Sequence, residues 1–192
     1  MGKLMEIRWH GRGGQGAKTG ALLLGEAVVH TGRYMQAFPD YGPERMGAPM
    51  RAFNRVSDEP IVIHSGVESP QVVVVLDATL LGRVDVTEGL PGDGILIVNT
   101  SWQPKDVRSK IHLSGRKLYT IDANRISTET IGKPIPNTPM LGALVKVTGV
   151  VEEGQLLNDT REKLSKKFRN KPEVIEGNIK AIERAFQEVR SE

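Results

Sequence analysis

Short apolar runs and amphipathic stretches alternate along this chain, and their two periods locate most of its elements. The first run, Leu4-Met5-Glu6-Ile7-Arg8-Trp9, reads as a strand. Residues 15–30 read as a helix, because Ala17, Gly20, Ala21, Leu24 and Val28 fall at helical spacing. That face is narrow and made mostly of small residues, so it can approach a sheet closely. Gly32 is a natural stop. Tyr34-Met35-Gln36-Ala37-Phe38 reads as a second strand, ended by Pro39, and completes a βαβ unit. Residues 50–56 and 61–64 read as two strands joined by the turn Ser57-Asp58-Glu59-Pro60, a hairpin that would make the sheet mixed.

Residues 71–76 contain Val72-Val73-Val74-Val75, a strand apolar on both faces and therefore buried on both. Residues 78–82 suit a short helix. Residues 95–98 and 118–121 are further buried strands, each followed by polar residues, Asn99-Thr100-Ser101 and Asp122-Ala123-Asn124. The last third reads as helical. Thr138-Pro139 looks like an N-cap followed by proline at the first helical position, opening a helix over 140–148 that Gly149 stops. A further helix covers 152–169. Pro172 opens the last one, where Ile175, Ile179, Ile182, Phe186 and Val189 form an apolar stripe. These elements predict a single α/β domain over residues 1–192: a three-layer, open, mixed but mostly parallel sheet flanked by helices, Rossmann-like in outline.

Candidate chemistry centres on His10-Gly11-Arg12-Gly13-Gly14-Gln15-Gly16, between the first strand and the first helix. Its glycines let the backbone turn sharply and approach a neighbour closely. A loop that opens a helix also presents free N–H groups, which suit anions. Gly11, Gly13 and Gly16 satisfy G-x-G-x-x-G, and the placement after a strand and before a helix fits a dinucleotide site. A tight turn that packs strand on helix explains the same glycines without a ligand. The dinucleotide reading also needs an acid at the end of the second strand, whereas Asp40 lies beyond Pro39. The following loop, residues 40–49, holds two glycines and two prolines and carries Glu44 and Arg45.

Composition then removes several classes of function. The chain of 192 residues has no cysteine, so it cannot ligate an iron–sulfur cluster by thiolates or use a cysteine nucleophile. A formal charge of +3 with 5% aromatic residues argues against nucleic acid. No apolar run approaches the roughly 20 residues of a membrane span, and the N-terminus lacks a signal-peptide core, so the expected location is the cytoplasm. Gly92-Asp93-Gly94 suggests thiamine binding, but it directly precedes a strand and reads better as a turn. The histidines at 10, 30, 64 and 112 are scattered and suggest no metal.

Four stretches carry a family resemblance: Ile7-Arg8-Trp9-His10-Gly11-Arg12-Gly13-Gly14-Gln15-Gly16, Tyr41-Gly42-Pro43-Glu44-Arg45-Met46-Gly47-Ala48-Pro49, Val72-Val73-Val74-Val75-Leu76-Asp77 and Pro136-Asn137-Thr138-Pro139-Met140-Leu141-Gly142-Ala143. The chain resembles the gamma subunit of 2-oxoacid:ferredoxin oxidoreductases, closest to the pyruvate:ferredoxin oxidoreductase gamma chain. The resemblance implies a holoenzyme that decarboxylates a 2-oxoacid, passes electrons to ferredoxin and transfers the acyl group to coenzyme A. It places thiamine diphosphate, magnesium and the 4Fe-4S clusters on alpha, beta and delta subunits or their fused equivalents. The gamma chain would cover the active-site region without catalysing, would be inactive alone, and is implicated in the coenzyme A step.

From this follows an expectation about anions. The glycine loop, the loop carrying Arg45 and the helix start at Asn137-Thr138 should gather at one edge of the sheet. Gly13, Gly14, Gln15 and Gly16 would supply backbone contacts to coenzyme A, with Arg45, Asn137 and Thr138 beside them. The competing reading has that edge bind only a partner protein, with Arg45 facing one of its carboxylates. A free-standing dinucleotide-binding oxidoreductase or binding module is the alternative to the subunit reading.

Overall fold

The computed structural model describes residues 4–40 and 47–192. Among these, seven strands form one sheet in the order β2-β3-β1-β4-β5-β6-β7. They are β1 (Met5–Arg12), β2 (Tyr34–Asp40), β3 (Pro49–Ser57), β4 (Val72–Val75), β5 (Ile95–Asn99), β6 (Lys117–Ile121) and β7 (Arg190–Ser191). Strands β1, β4, β5 and β6 pair in parallel; β3 runs antiparallel between β1 and β2, and β7 is antiparallel to β6. The mixed, mostly parallel α/β architecture follows the sequence pattern, with five strands pointing one way and β3 and β7 the other.

The expected pairing of residues 50–56 with 61–64 does not form. Strand β3 is paired along its length with β1 on one side and β2 on the other, so it has no free edge left. Residues 61–64 instead lie outside any strand. Pro39 does not end β2 either; the strand runs on through Asp40. Because β2 pairs only with β3, its other side needs no ladder hydrogen bonds and tolerates proline.

Among the described residues six α-helices cover the sheet: α1 (Ala17–His30), α2 (Pro104–Ile111), α3 (Ala123–Ile131), α4 (Asn137–Thr148), α5 (Glu153–Lys167) and α6 (Pro172–Glu188). Helices α2 and α3 are only 8 and 9 residues long, and the sequence reading does not identify them. On one face, α1, α3, α4, α5 and α6 contribute to a single apolar cluster with Ile7, Trp9, Val72, Val74 and Ile97. Helix α1 comes close because Gly20 faces Trp9, where an added Cβ would lie 3.3 Å from the indole ring. The indole N–H donates to Asn54 (2.8 Å), whose amide donates to the Ala21 carbonyl (2.9 Å), so the polar atoms of Trp9 and Asn54 are matched where α1 meets the sheet.

The opposite face divides in two. Beneath β4, β5 and β6, a smaller apolar cluster joins Val73, Val75, Leu96, Val98 and Leu118 to Leu80, Leu90 and Val107. Beneath β1, β3 and β2, the face is mixed: Phe38 and Phe53 lie ring against ring, centroids 5.2 Å apart, beside buried arginines. Arg8 (2% exposed) reaches the carbonyls of Val86 and Glu88, and Arg55 (1% exposed) pairs with Glu6 at 2.7 Å and reaches the carbonyls of Ile63, Ser65 and Gly66. Two arginines thus anchor two loops where a third layer of helix would otherwise sit.

Candidate functional site at the carboxyl edge

Strand β1 ends at the glycine loop, and side chains pin that loop as much as its glycines free it. Gln15 accepts from the Arg12 N–H through Oε1 (2.8 Å) and donates through Nε2 to Asp77 (2.9 Å). Arg12 pairs with the same carboxylate at 3.1 Å and also donates to Thr79 and the Gly47 carbonyl. The Gly13 N–H donates to the Ala48 carbonyl, so the end of the β2–β3 connection lies against the loop. Gly14 and Gly16 have φ of 96° and 82°, the left-handed region that favours glycine. Gly16 is the N-cap of α1, so the helix begins at Ala17 and not at Gln15.

Two sets of polar groups there lack partners among the described residues. The N–H groups of Gly14, Gly16 and the first turn of α1 have no acceptor. Asn137, only 8% exposed, has no hydrogen bond from its side-chain amide. A Cβ on Gly16 would lie 2.7 Å from that amide nitrogen, so the glycine is what lets Asn137 reach the loop. These groups sit together at a helix N-terminus, where free N–H donors and an open amide can meet an incoming acceptor.

Beside the loop, the ends of β4, β5 and β6 enclose a crevice of about 320 Å³, lined by Gln15, Asp77, Thr79, Asn99, Asp122 and Asn124 among others. Strand order reverses between β1 and β4, and open α/β sheets place ligands outside the carboxyl ends at such a point. Asn99 closes the floor. Its amide donates to the Leu76 carbonyl (2.8 Å) and to Asn124 Oδ1 (3.1 Å), and its oxygen accepts from the N–H groups of Ala123 and Asn124. Burial alone would raise the Asp77 carboxyl. Hydrogen bonds from Thr79 and Gln15, and the Arg12 charge, outweigh it and hold the group below its ordinary value.

The candidates from the sequence are not all placed as expected. Gly13, Gly14, Gln15, Gly16 and Asn137 come together at one edge, but the Gly13 N–H is already taken by Ala48. Arg45 lies outside the described residues. Thr138 is not the N-cap of α4: the cap is Pro136 and the helix begins at Asn137. Its hydroxyl is buried and donates to Asn178 Oδ1 at 2.8 Å, away from the loop. Asp40 does end a strand, contrary to expectation, yet it pairs with Arg51 at 2.7 Å and is separated from β1 by the whole of β3. It is therefore not placed to hold a ribose beside the glycine loop. Gly92-Asp93-Gly94 precedes β5, at the opposite end of that strand from the crevice.

His10 opens the glycine motif but faces the arginine side of the sheet. Arg8 Nε donates to its Nε2 at 3.0 Å, so the ring is a neutral acceptor. Burial first, then the charges of Arg8 and Arg51, lower its pKa from 6.5 to about 3. The pairing of Arg12 with Asp77 across 65 residues escaped the sequence reading; its one local signal is an acid placed directly after a buried valine run.

Among known proteins, a model of the family described as pyruvate ferredoxin/flavodoxin oxidoreductase matches residues 6–188. Pyruvate synthase subunit PorC of Thermotoga maritima is 50% identical over 188 residues, covering 98% of this chain and 96% of that protein. The pyruvate/ketoisovalerate oxidoreductases common subunit gamma of Pyrococcus abyssi is 46% identical, covering 97% of this chain and 98% of that one. The crystal structure of the Thermotoga maritima subunit superposes with a TM-score of 0.86 at 48% identity and covers 98% of each chain.

Proposed function

The chain belongs to the pyruvate ferredoxin/flavodoxin oxidoreductase family as a gamma-type subunit, and on that premise we propose that its carboxyl edge faces the catalytic chains and helps hold coenzyme A. The observation that carries this reading is the convergence of free N–H groups at Gly14, Gly16 and the start of α1 with the unmatched amide of Asn137. The helix terminus and N–H groups suit a phosphate, and the amide suits an acceptor oxygen. The crevice next door carries the Asp77 and Asp122 carboxylates, so phosphate groups belong on the loop side, where Lys18 is exposed on the first turn of α1.

On this reading the chain is one domain that binds and positions, and it is inactive alone. Thiamine diphosphate, magnesium and the clusters belong to alpha, beta and delta partners or their fused equivalents, and ferredoxin meets the assembly there. With no cysteine, this chain has no thiolate to offer a cluster. Among the described residues no helix is long and apolar enough to cross a membrane. The working location is the cytoplasm.

Steady-state kinetics of the holoenzyme test the assignment. Asn137→Ala and Arg45→Ala should each raise the Michaelis constant for coenzyme A by about tenfold, the worth of one good polar contact, and leave the constant for the oxoacid unchanged. If that constant holds while the subunit assembles less tightly, the edge binds a partner protein and not the cosubstrate.

A further inference from the structure

Residues 61–68 keep their backbone open. None of the N–H groups from Ile61 to Glu68 meets an acceptor among the described residues. The carbonyls of Ile61 and Ile63 accept from Gln36 Nε2, at 3.5 and 2.9 Å, and that of Ser65 accepts from Arg55 at 2.8 Å. Carbonyls at i, i+2 and i+4 that face one side mark an extended chain. The intervening Val62 and His64 therefore turn both their N–H and C=O outward. Val62 is 79% exposed and Ile63 40%, so two adjacent apolar side chains lie open along this segment.

The segment is not left loose. Arg55 is buried and paired with Glu6, and it grips Ile63, Ser65 and Gly66 from beneath. A fixed extended edge with free donors and acceptors is a template for another extended backbone. We propose that residues 61–64 form such an edge, onto which an extended, apolar segment of another subunit of the oxidoreductase adds as a β-strand and covers Val62 and Ile63. The inference rests on the subunit reading above, which supplies the partner. A second copy fits less well. Only Val62 and His64 offer outward groups, and a two-residue ladder is far smaller than the roughly 1,200 Å² that holds a stable pair on its own. Such a ladder suits a contact that other surfaces of a larger assembly also hold.

Residue-resolved hydrogen exchange on the assembled enzyme and on the separately expressed chain tests this. In the assembly, the amides of Val62 and His64 should slow by at least tenfold while that of Ile63 changes less, the alternation a strand partner imposes. Val62→Pro removes one of these donors where the chain is already extended. It should weaken assembly by about tenfold and leave the melting temperature of the chain alone unchanged. Equal exchange at 62 and 64 in both states overturns the proposal. So does protection that grows with concentration in the chain alone, which assigns the edge to a second copy. If no other chain assembles with this one, the subunit reading fails as well, an outcome distinct from an assembly with unprotected amides.

Discussion

Strand β1 turns Ile7 and Trp9 to one face of the sheet and Arg8 and His10 to the other, and their exposures are 0, 0, 2 and 4%. Burial is thus the same on both faces while the chemistry is opposite. On the first, helices pack on apolar side chains, and the energy is spread over many contacts. On the second, a few guanidinium groups are satisfied by loop carbonyls, so the energy is concentrated in single residues. The difference teaches that a buried face need not be a core. The helical face fixes the fold, whereas the arginine face fixes where two loops lie.

Trp9→Ala breaks the first face and should have the largest effect. Loss of a fully buried indole on α1, with its hydrogen bond to Asn54, should cost about 3–5 kcal/mol in denaturant unfolding. The loss should be global, lowering protection in every helix of that layer. Arg55→Met tests the second face. It strands Glu6 and releases the carbonyls of Ile63, Ser65 and Gly66, and should cost about 3 kcal/mol. Here hydrogen exchange should quicken first around residues 61–66. Uniform loosening would show that the two faces are one cooperative unit after all.

Acid should sharpen the comparison further. His10 titrates at about 3 in the folded chain against an ordinary 6.5. Between those values the unfolded chain binds a proton that the folded one does not, so stability falls as pH falls, by about 1.4 kcal/mol per unit. Near pH 5 the loss should approach about 2 kcal/mol, measured as a shift in the urea midpoint. His10→Gln keeps an acceptor for Arg8 and should remove most of that slope. A slope that survives would assign it to carboxylates such as Asp77, which shift stability in the same direction. The smallest effect belongs to Gly14→Ala. The residue has φ of 96° and nothing within 4 Å of an added Cβ, so only backbone strain of about 1 kcal/mol is expected, read by thermal unfolding.

The first face was largely legible in the sequence, because regular packing leaves a period. The valine run of β4, the small-residue stripe of α1 and the apolar stripe of α6 all announce what they bury. The second face leaves no period. Ile61-Val62-Ile63 has strand chemistry, but whether a strand forms depends on a free edge, and β1 and β2 already occupy both edges of β3. At the candidate site, the glycine loop and the polar ends of β5 and β6 were readable, since turns and strand ends have local signatures. Thr138 was misread as a cap because serine and threonine caps look alike in sequence whether or not their hydroxyl faces the helix; its bond to Asn178 spans 40 residues. Arg12 with Asp77 was missed for the same reason of distance.

Asn99 has a consequence for how the crevice can respond to an occupant. One side chain ties the end of β4 to the start of α3, so the walls on either side cannot part without giving up several buried hydrogen bonds together. Induced fit is thereby confined to the rim. A ligand entering this crevice meets a floor already ordered during folding, and it avoids the roughly 0.5–1.5 kcal/mol that freezing each mobile side chain would cost on contact. A ligand held there would meet a rigid gauge of size and hydrogen-bond pattern, with any adaptable part of recognition left to the loops above.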